Sequence, residues 1–201
     1  MRADRPGAQR WVPPSADVSE LREAVEACRG CELWEPATQA VFSTGSPGAR
    51  LMLVGEQPGD QEDRQGVPFV GPAGRLLHDA LEAAGIDSDQ SYLTNAVTHF
   101  RFTRRGKRRM HEKPGLAHIA ACHPWLDAEL ASVRPGIVVC LGATAARAVL
   151  GHDVKIGEVR GLIQSMAGVP EPVLVTSTRP RSSGSTAATA GTRPSRRWSP
   201  I

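Results

Sequence analysis

Long apolar runs are missing from this chain of 201 residues, aromatic side chains make up only 4% of it, and it has a single tyrosine. The absence of any stretch of about eighteen apolar residues argues against a membrane-spanning helix. The N-terminus, Met1-Arg2-Ala3-Asp4-Arg5-Pro6-Gly7, lacks the apolar core of a signal peptide. A cytoplasmic location with no membrane partner is therefore expected. In such a reducing compartment the four cysteines are metal ligands or buried thiols rather than disulfides. The chain also lacks a strong charge bias, with a net charge of +3. The distribution of charge says more, because Arg101, Arg104, Arg105, Lys107, Arg108, Arg109 and Lys113 fall within one short window, as in a nucleic-acid footprint.

What is present reads as one α/β domain. Residues 1–14, with their prolines and charges, suggest a loose N-terminal arm, and the domain is expected over 15–177. Asp17 and Glu20 form a reciprocal cap for a first helix running to Cys28, with Gly30 ending it. Leu51-Met52-Leu53-Val54, Ser91-Tyr92-Leu93-Thr94, Ile137-Val138-Val139-Cys140-Leu141 and Val173-Leu174-Val175-Thr176 have the pattern of buried strands. Between them, Pro72 opens a helix with Leu76, Leu77 and Leu81 on one face. A second amphipathic helix spans Leu116 to Leu130 with an adjustment at Pro124. The basic segment around Phe100 to Pro114 has no consistent period and suggests an exposed loop. Alternating strands and helices imply a mostly parallel sheet in a three-layer α/β/α arrangement, with ligands bound beyond the carboxyl ends of its strands. The Glu56 loop and Asn95 both fall there.

Cys28-x-x-Cys31 ends a helix, and Cys122 and Cys140 lie on a later helix and strand. A four-thiolate metal site is one reading. A redox pair with two core cysteines is another, and spacing alone does not separate zinc from iron–sulfur.

Gly55-Glu56-Gln57-Pro58-Gly59, Pro68-Phe69-Val70-Gly71-Pro72-Ala73-Gly74 and Leu93-Thr94-Asn95-Ala96-Val97 together resemble the ordered motifs of the iron–sulfur uracil-DNA glycosylases. Lys107-Arg108-Arg109-Met110-His111 resembles the insertion of the UdgX branch, whose members become covalently joined to DNA after removing uracil. The resemblance covers about Cys28 to Thr176. It implies a [4Fe–4S] cluster on Cys28, Cys31, Cys122 and Cys140, and uracil-containing DNA, preferably single-stranded, as the partner of a monomer.

The same resemblance assigns roles to individual side chains. His111 would attack the sugar C1′, with Glu56 favouring the sugar cation or taking a proton and Gln57 positioning the site. Phe69 would stack on uracil. The Asn95 amide would meet N3–H and O4 together, a pattern that cytosine reverses. Asp60 would orient the Glu56 loop at the substrate site, and Lys107, Arg108 and Arg109 would meet phosphates and hold the loop down. Without the resemblance, the same residues read as a core phenylalanine, a turn asparagine, an exposed aspartate and a solvated basic run.

One family motif is absent. His-Pro-Ser-Ser, followed by an apolar residue, leucine and arginine, should follow Ser177, but the chain has Thr178-Arg179-Pro180-Arg181-Ser182-Ser183-Gly184. Codons exist for these residues that, with one C restored in front, read His-Pro-Ser-Ser-Val-Leu-Arg. In the same frame Pro194 to Ile201 can yield Ala-Phe-Glu-Ala-Leu-Val-Ala-Asp, an amphipathic pattern. A one-base deletion near Ser177, in the gene or in its sequencing, is therefore expected to have put 178–201 out of frame. These residues have no hydrophobic period of their own.

Overall fold

A computed structural model of the chain describes residues 5–87, 90–166 and 169–177; the expected out-of-frame tail lies outside them. Its centre is a six-stranded sheet. β1 (Thr44–Gly45), β2 (Leu51–Gly55), β3 (Ser91–Asn95), β6 (Ile137–Leu141), β7 (Ile163–Met166) and β8 (Val169–Thr176) run in the order β1-β3-β2-β6-β8-β7. The inner strands β3, β2, β6 and β8 are parallel, and β1 and β7 pair antiparallel at the edges. The chain is thus α/β, with a mostly parallel sheet layered against helices. The apolar runs read from sequence become the inner strands because parallel strands are covered on their faces and need apolar residues throughout.

On one face, α1 (Val18–Val25), α4 (Leu116–Val133) and α5 (Ala143–Leu150) close a core around Met52, Val54, Tyr92, Val138, Val173 and Val175. On the other, α3 (Pro72–Ala83) sets Leu77 and Leu81 over Leu53, Leu93 and Leu141. The short helices α2 (Asp60–Gln65) and α6 (Ile156–Val159) complete the element set, with a separate hairpin of β4 (Phe102–Arg105) and β5 (Arg108–His111).

Several sequence expectations needed correction. The Asp17–Glu20 capping box is present, but α1 stops at Val25, and a turn rather than a helix carries Cys28. Leu76 is solvent-exposed, since the stripe of α3 that faces the sheet is met by Leu77 and Leu81. Pro124 sits inside α4 without ending it. The segment expected to be a loose arm is docked over its described part. Gly7 and Ala8 donate backbone hydrogen bonds to Gly30 and Ala121, and Ala8 is buried beside the cysteine turn. The Gly30 backbone leaves no room there for a Cβ, which would lie 2.9 Å from the Ala8 nitrogen.

The basic segment is the largest departure. It forms an antiparallel hairpin, with Phe102 opposite His111, Arg104 opposite Arg109 and Arg105 opposite Arg108. Gly106 turns it at φ +59°. Alternation along β5 points Arg109 and His111 to one face, and Arg108 and Met110 to the other.

Candidate active site

The carboxyl ends of β2, β3 and β6 open into a cleft of about 730 Å³, a size suited to a small ligand. Its lining includes Glu56, Gln57, Asp60, Phe69, Asn95, His111 and Thr144. Strand order reverses here, since the chain leaves β2 toward β3 on one side and returns to β6 on the other, so the loops splay apart and leave a crevice.

Phe69 and Asn95 meet over Gly55. A Cβ on it would fall 2.3 Å from the Asn95 amide oxygen and 2.9 Å from Phe69 Cζ. The ring and the amide therefore converge on bare backbone, and only glycine permits that approach. Asn95 is buried at the end of β3. Phe69 is held at φ +60°, an uncommon backbone state for a bulky residue. Its carbonyl packs so closely on Gly74 that a Cβ there would lie 1.8 Å away.

Glu56 directs its two carboxylate oxygens to different partners. Oε2 accepts a hydrogen bond from the Thr144 hydroxyl, and Oε1 lies 3.5 Å from His111 Nε2. Thr144 is buried in the first turn of α5, where the helix N-terminus favours a negative charge. His111 stays 49% exposed, with its ring 6.1 Å from that of Phe100. A half-open imidazole beside a fixed carboxylate can offer a lone pair to an electrophile and pass on a proton.

Gln57 has a different part. Its amide nitrogen donates to the carbonyls of Arg101 and Glu112 at 3.1 Å each, while its oxygen accepts from the Arg101 amide at 3.1 Å. Gln57 thus clamps the two ends of the hairpin together beside His111. Arg101 strengthens the same base by donating to the Lys113 carbonyl at 2.7 Å and to Glu112 Oε1 at 2.5 Å.

Arg109 and Asp60 also differ from their sequence reading. The Arg109 side chain is only 7% exposed and pairs with Asp60 and with the fully buried Asp63, lying over the rings of Phe100 and Phe102. In this structure its guanidinium is engaged by these two carboxylates inside the protein and faces away from solvent, where phosphates would lie. Asp60 opens α2 and faces Arg109 and Arg64. Burial opposes its charge, but hydrogen bonds from Arg64 and Arg109 outweigh that and keep its carboxyl below the usual range. Lys107 and Arg108 are exposed at the hairpin turn.

Sequence reasoning missed Thr144, Glu62 and Asp63. Glu62 accepts from the amides of Gly59 at 3.1 Å and Gly71 at 2.9 Å, joining the Glu56 loop to the Phe69 loop. Asp63 accepts from the Thr38 amide at 3.0 Å as well as from Arg109. A carboxylate three residues after Gly59 is a capping signal visible in sequence. Nothing local marks Thr144.

All four cysteines are free, buried and within the same apolar cluster. Trp125 Nε1 and the Thr98 amide each lie 3.3 Å from a sulfur, Cys28 and Cys122 respectively. Burial pushes the thiols of Cys122 and Cys140 up to about 12 and raises that of Cys31. Four unbridged thiols with N–H donors aimed at two of them are a donor set suited to a thiolate-bound metal group. Among the described residues, no three His, Cys, Asp or Glu side chains converge as a ready-made metal site. Next to this turn, Gly115 donates to His118 Nδ1, leaving Nε2 to donate to Glu32 at 2.9 Å. Burial raises the Glu32 carboxyl, but hydrogen bonds from Arg5 and His118 bring it down to about 2.

The cleft can now be set beside known proteins. Residues 42–195 match the uracil DNA glycosylase superfamily. The chain belongs to that superfamily. It is 35% identical over 152 residues to a type-4 uracil-DNA glycosylase of Sulfurisphaera tokodaii, covering 75% of this chain and 64% of that one. The Thermotoga maritima type-4 enzyme is 36% identical over 142 residues, 70% of each chain. That of Archaeoglobus fulgidus is 32% identical over 130 residues, 65% of this chain and 62% of its own. The chain thus spans about two thirds of the length of these curated relatives. Among the described residues no helix is long and apolar enough to cross a membrane.

Proposed function

We propose that this superfamily member removes uracil from DNA and joins its own His111 to the sugar left behind. The observation that carries the reading is His111 Nε2 lying 3.5 Å from Glu56 Oε1 in the cleft where Phe69 and Asn95 converge. Uracil taken out of the stack would lie against Phe69 and be read on N3–H and O4 by Asn95. One imidazole nitrogen gives its lone pair to C1′. The C1′–N1 bond breaks and its electron pair leaves on uracil, which takes a proton from solvent. The proton on the other ring nitrogen passes to Glu56 or water, so the adduct ends neutral. Glu56 also faces the positive charge that grows on the sugar. Lys107 and Arg108 meet phosphates, and single-stranded DNA is the preferred form because its bases need no unpairing.

A [4Fe–4S] cluster fits the four buried thiols. When bound, it would tie the Cys28–Cys31 turn, α4 and β6 together through thiolate bonds, and it takes no part in the steps above. A brown protein whose visible absorption is lost in Cys122→Ser supports iron–sulfur, since zinc has no such colour. Four free cysteines also suit a reducing, cytoplasmic setting for a monomer.

A second reading follows from the sequence after Ser177. The His-Pro-Ser-Ser motif is absent, and the out-of-frame tail would leave the chain a weakened catalyst or a non-catalytic binder of uracil-containing DNA. Incubation with uracil-containing single-stranded DNA separates the two. A heat- and detergent-stable shifted band that disappears with His111→Ala supports the crosslinking enzyme. DNA that binds reversibly and leaves denaturing gels unshifted supports the binder.

A further inference from the structure

Two loops bring Glu56 and Phe69 to the cleft. The loop after β2 carries Glu56 and ends at Gly59, and the loop before α3 carries Phe69 and ends at Gly71. Each glycine is the N-cap of the helix that follows it, so neither has a side chain with which to close its own helix. Glu62 serves both. Its Oε2 accepts from the Gly59 amide at 3.1 Å, a bond within the start of α2, and its Oε1 accepts from the Gly71 amide at 2.9 Å, a bond that crosses to the other loop. Both glycines leave space for it. A Cβ on Gly59 would lie 2.6 Å from Oε2, and one on Gly71 would lie 2.8 Å from Oε1. The carboxylate, on a residue only 8% exposed, fills the room that a side chain at either position would take.

The second of these bonds bears on Phe69, two residues before Gly71. Phe69 sits at φ +60°, a state that a bulky residue keeps only where its surroundings hold it there. Gly74 receives its carbonyl, and the Glu62–Gly71 bond fixes the chain that follows. At its other end the Phe69 ring meets Gly55, the residue before Glu56. The two loops therefore touch at Gly55 and are tied again at Glu62, which closes a ring of contacts beside the place where a flat base would lie. Asp63, the next residue of α2, holds the hairpin instead.

We infer that Glu62 is a positioning residue, which sets the Phe69 ring through Gly71 and so fixes how a stacked base lies relative to Glu56. The assignment deepens the uracil-excising reading of the cleft and rests on it. Glu62 acts through the backbone of both loops, and the chemistry of its end group explains why an acid stands here. A carboxylate has two acceptor oxygens, and both amides donate. Glutamine keeps the shape but turns its own N–H groups toward one of the amides, leaving that amide without a partner.

The test compares the parent chain with Glu62→Gln, Phe69→Leu and the double variant. One reading is the single-turnover rate of adduct formation at saturating uracil-containing single-stranded DNA. The other is affinity for two uncleaved probes, the same DNA carrying 2′-fluorodeoxyuridine, whose fluorine slows bond breaking, and the same DNA carrying an abasic analogue. Glu62→Gln should slow adduct formation about 10-fold and shrink the preference for the uracil probe, with affinity for the abasic probe unchanged. In the Phe69→Leu background the same change should cost less than about twofold, because the ring that Glu62 positions is gone. A loss of about 10-fold in both backgrounds, an equal loss of affinity for the abasic probe, or a parent-like rate in Glu62→Gln would each overturn the assignment. Should Glu62→Gln fail to fold, amide hydrogen exchange in the parent decides: a Gly71 amide as protected as that of Gly59 supports the tether, and one that exchanges like an exposed amide overturns it. A parent that forms no adduct and does not prefer the uracil probe overturns the glycosylase reading and the assignment together, whereas additive losses in an active parent overturn the assignment alone.

Discussion

Arg109 and His111 sit two residues apart on one face of β5, yet their surroundings are opposite. The Arg109 side chain is 7% exposed and held by Asp60 and Asp63; that of His111 is 49% exposed, with Glu56 at 3.5 Å. The difference shows how a short hairpin can hold one side chain fast while leaving its neighbour on the same face open to the cleft. Rigidity is supplied at Arg109 and at Gln57, on either side of His111, so His111 itself can stay open, as the proposed attack on a sugar requires. A nucleophile locked in its own hydrogen bonds would have no lone pair to give.

The largest test of that contrast is to release the anchored end. Arg109→Ala leaves Asp63, which is fully buried, without its cation, a change that costs about 3–5 kcal/mol when one partner of a buried pair is removed. Adduct formation should fall about 100-fold, as expected when a reacting group loses its placement, although His111 is untouched. Arg109→Lys should not restore it, because a single ammonium cannot reach both carboxylates and lie over the Phe100 and Phe102 rings. Single-turnover gel kinetics with uracil-containing DNA measure this. Adduct formation by Arg109→Ala within twofold of the parent would mean that the anchor has no bearing on His111.

Thr144 tests the open end. Its hydroxyl fixes one oxygen of Glu56 and leaves the other toward His111. Thr144→Val keeps the shape and removes the donor, so the single-turnover rate of adduct formation at saturating DNA should fall about 10-fold, the loss of one charge-assisted hydrogen bond, while the affinity for DNA is unchanged. Thr144→Ser should recover most of the rate. A loss confined to DNA affinity would instead place Thr144 in DNA binding.

The contrast between the two ends also explains what could be read in advance. Asp17 and Glu20 were legible as a cap because both partners lie within one turn, and the inner strands were legible as apolar runs. The hairpin was not. Arg104-Arg105-Gly106-Lys107-Arg108-Arg109 carries no apolar alternation, and its order comes from carboxylates contributed far along the chain, in α2. The site was legible as a set of residues, since Glu56, Phe69, Asn95 and His111 all line one cleft. Their division of labour was not, because the duties of Gln57, Asp60 and Arg109 depend on tertiary partners. Leu76 shows the same limit on a smaller scale, as periodicity marks a stripe but not its centre.

A third anchor lets pH separate kinds of tether. Glu129 is fully buried and accepts hydrogen bonds from Tyr92 and Thr94 of β3, the strand that carries Asn95. Burial pushes its carboxyl up to about 8. A raised acid stabilises the fold fully below its unfolded value of about 4.3, and that contribution is lost as pH rises through about 8. Asp60 has the opposite sign, since its lowered carboxyl stabilises at neutral pH and that contribution is lost only in strong acid. Glu129→Gln keeps an acceptor without the titration. It should match the parent near pH 5 and exceed it by about 1–3 kcal/mol near pH 8. Urea unfolding across that range checks it, and a constant difference at both ends would show that Glu129 does not titrate there.

The smallest effects belong to Lys107 and Arg108, which are exposed at the turn and free of the carboxylates that hold Arg109. If the hairpin divides its basic residues between anchoring and phosphate contact, each exposed cation contributes one released counterion on DNA binding. Lys107→Ala and Arg108→Ala should each make the plot of log affinity against log salt shallower by about 0.7 for single-stranded DNA. Affinity should fall a few-fold near physiological salt, and the adduct rate at saturating DNA should hold. Arg109→Ala should leave that slope unchanged, because its charge is already neutralised by Asp60 and Asp63. A slope change for Arg109→Ala equal to that of its neighbours would mean that the guanidinium leaves its carboxylates when DNA binds, and the two ends of β5 would then differ only in the free protein.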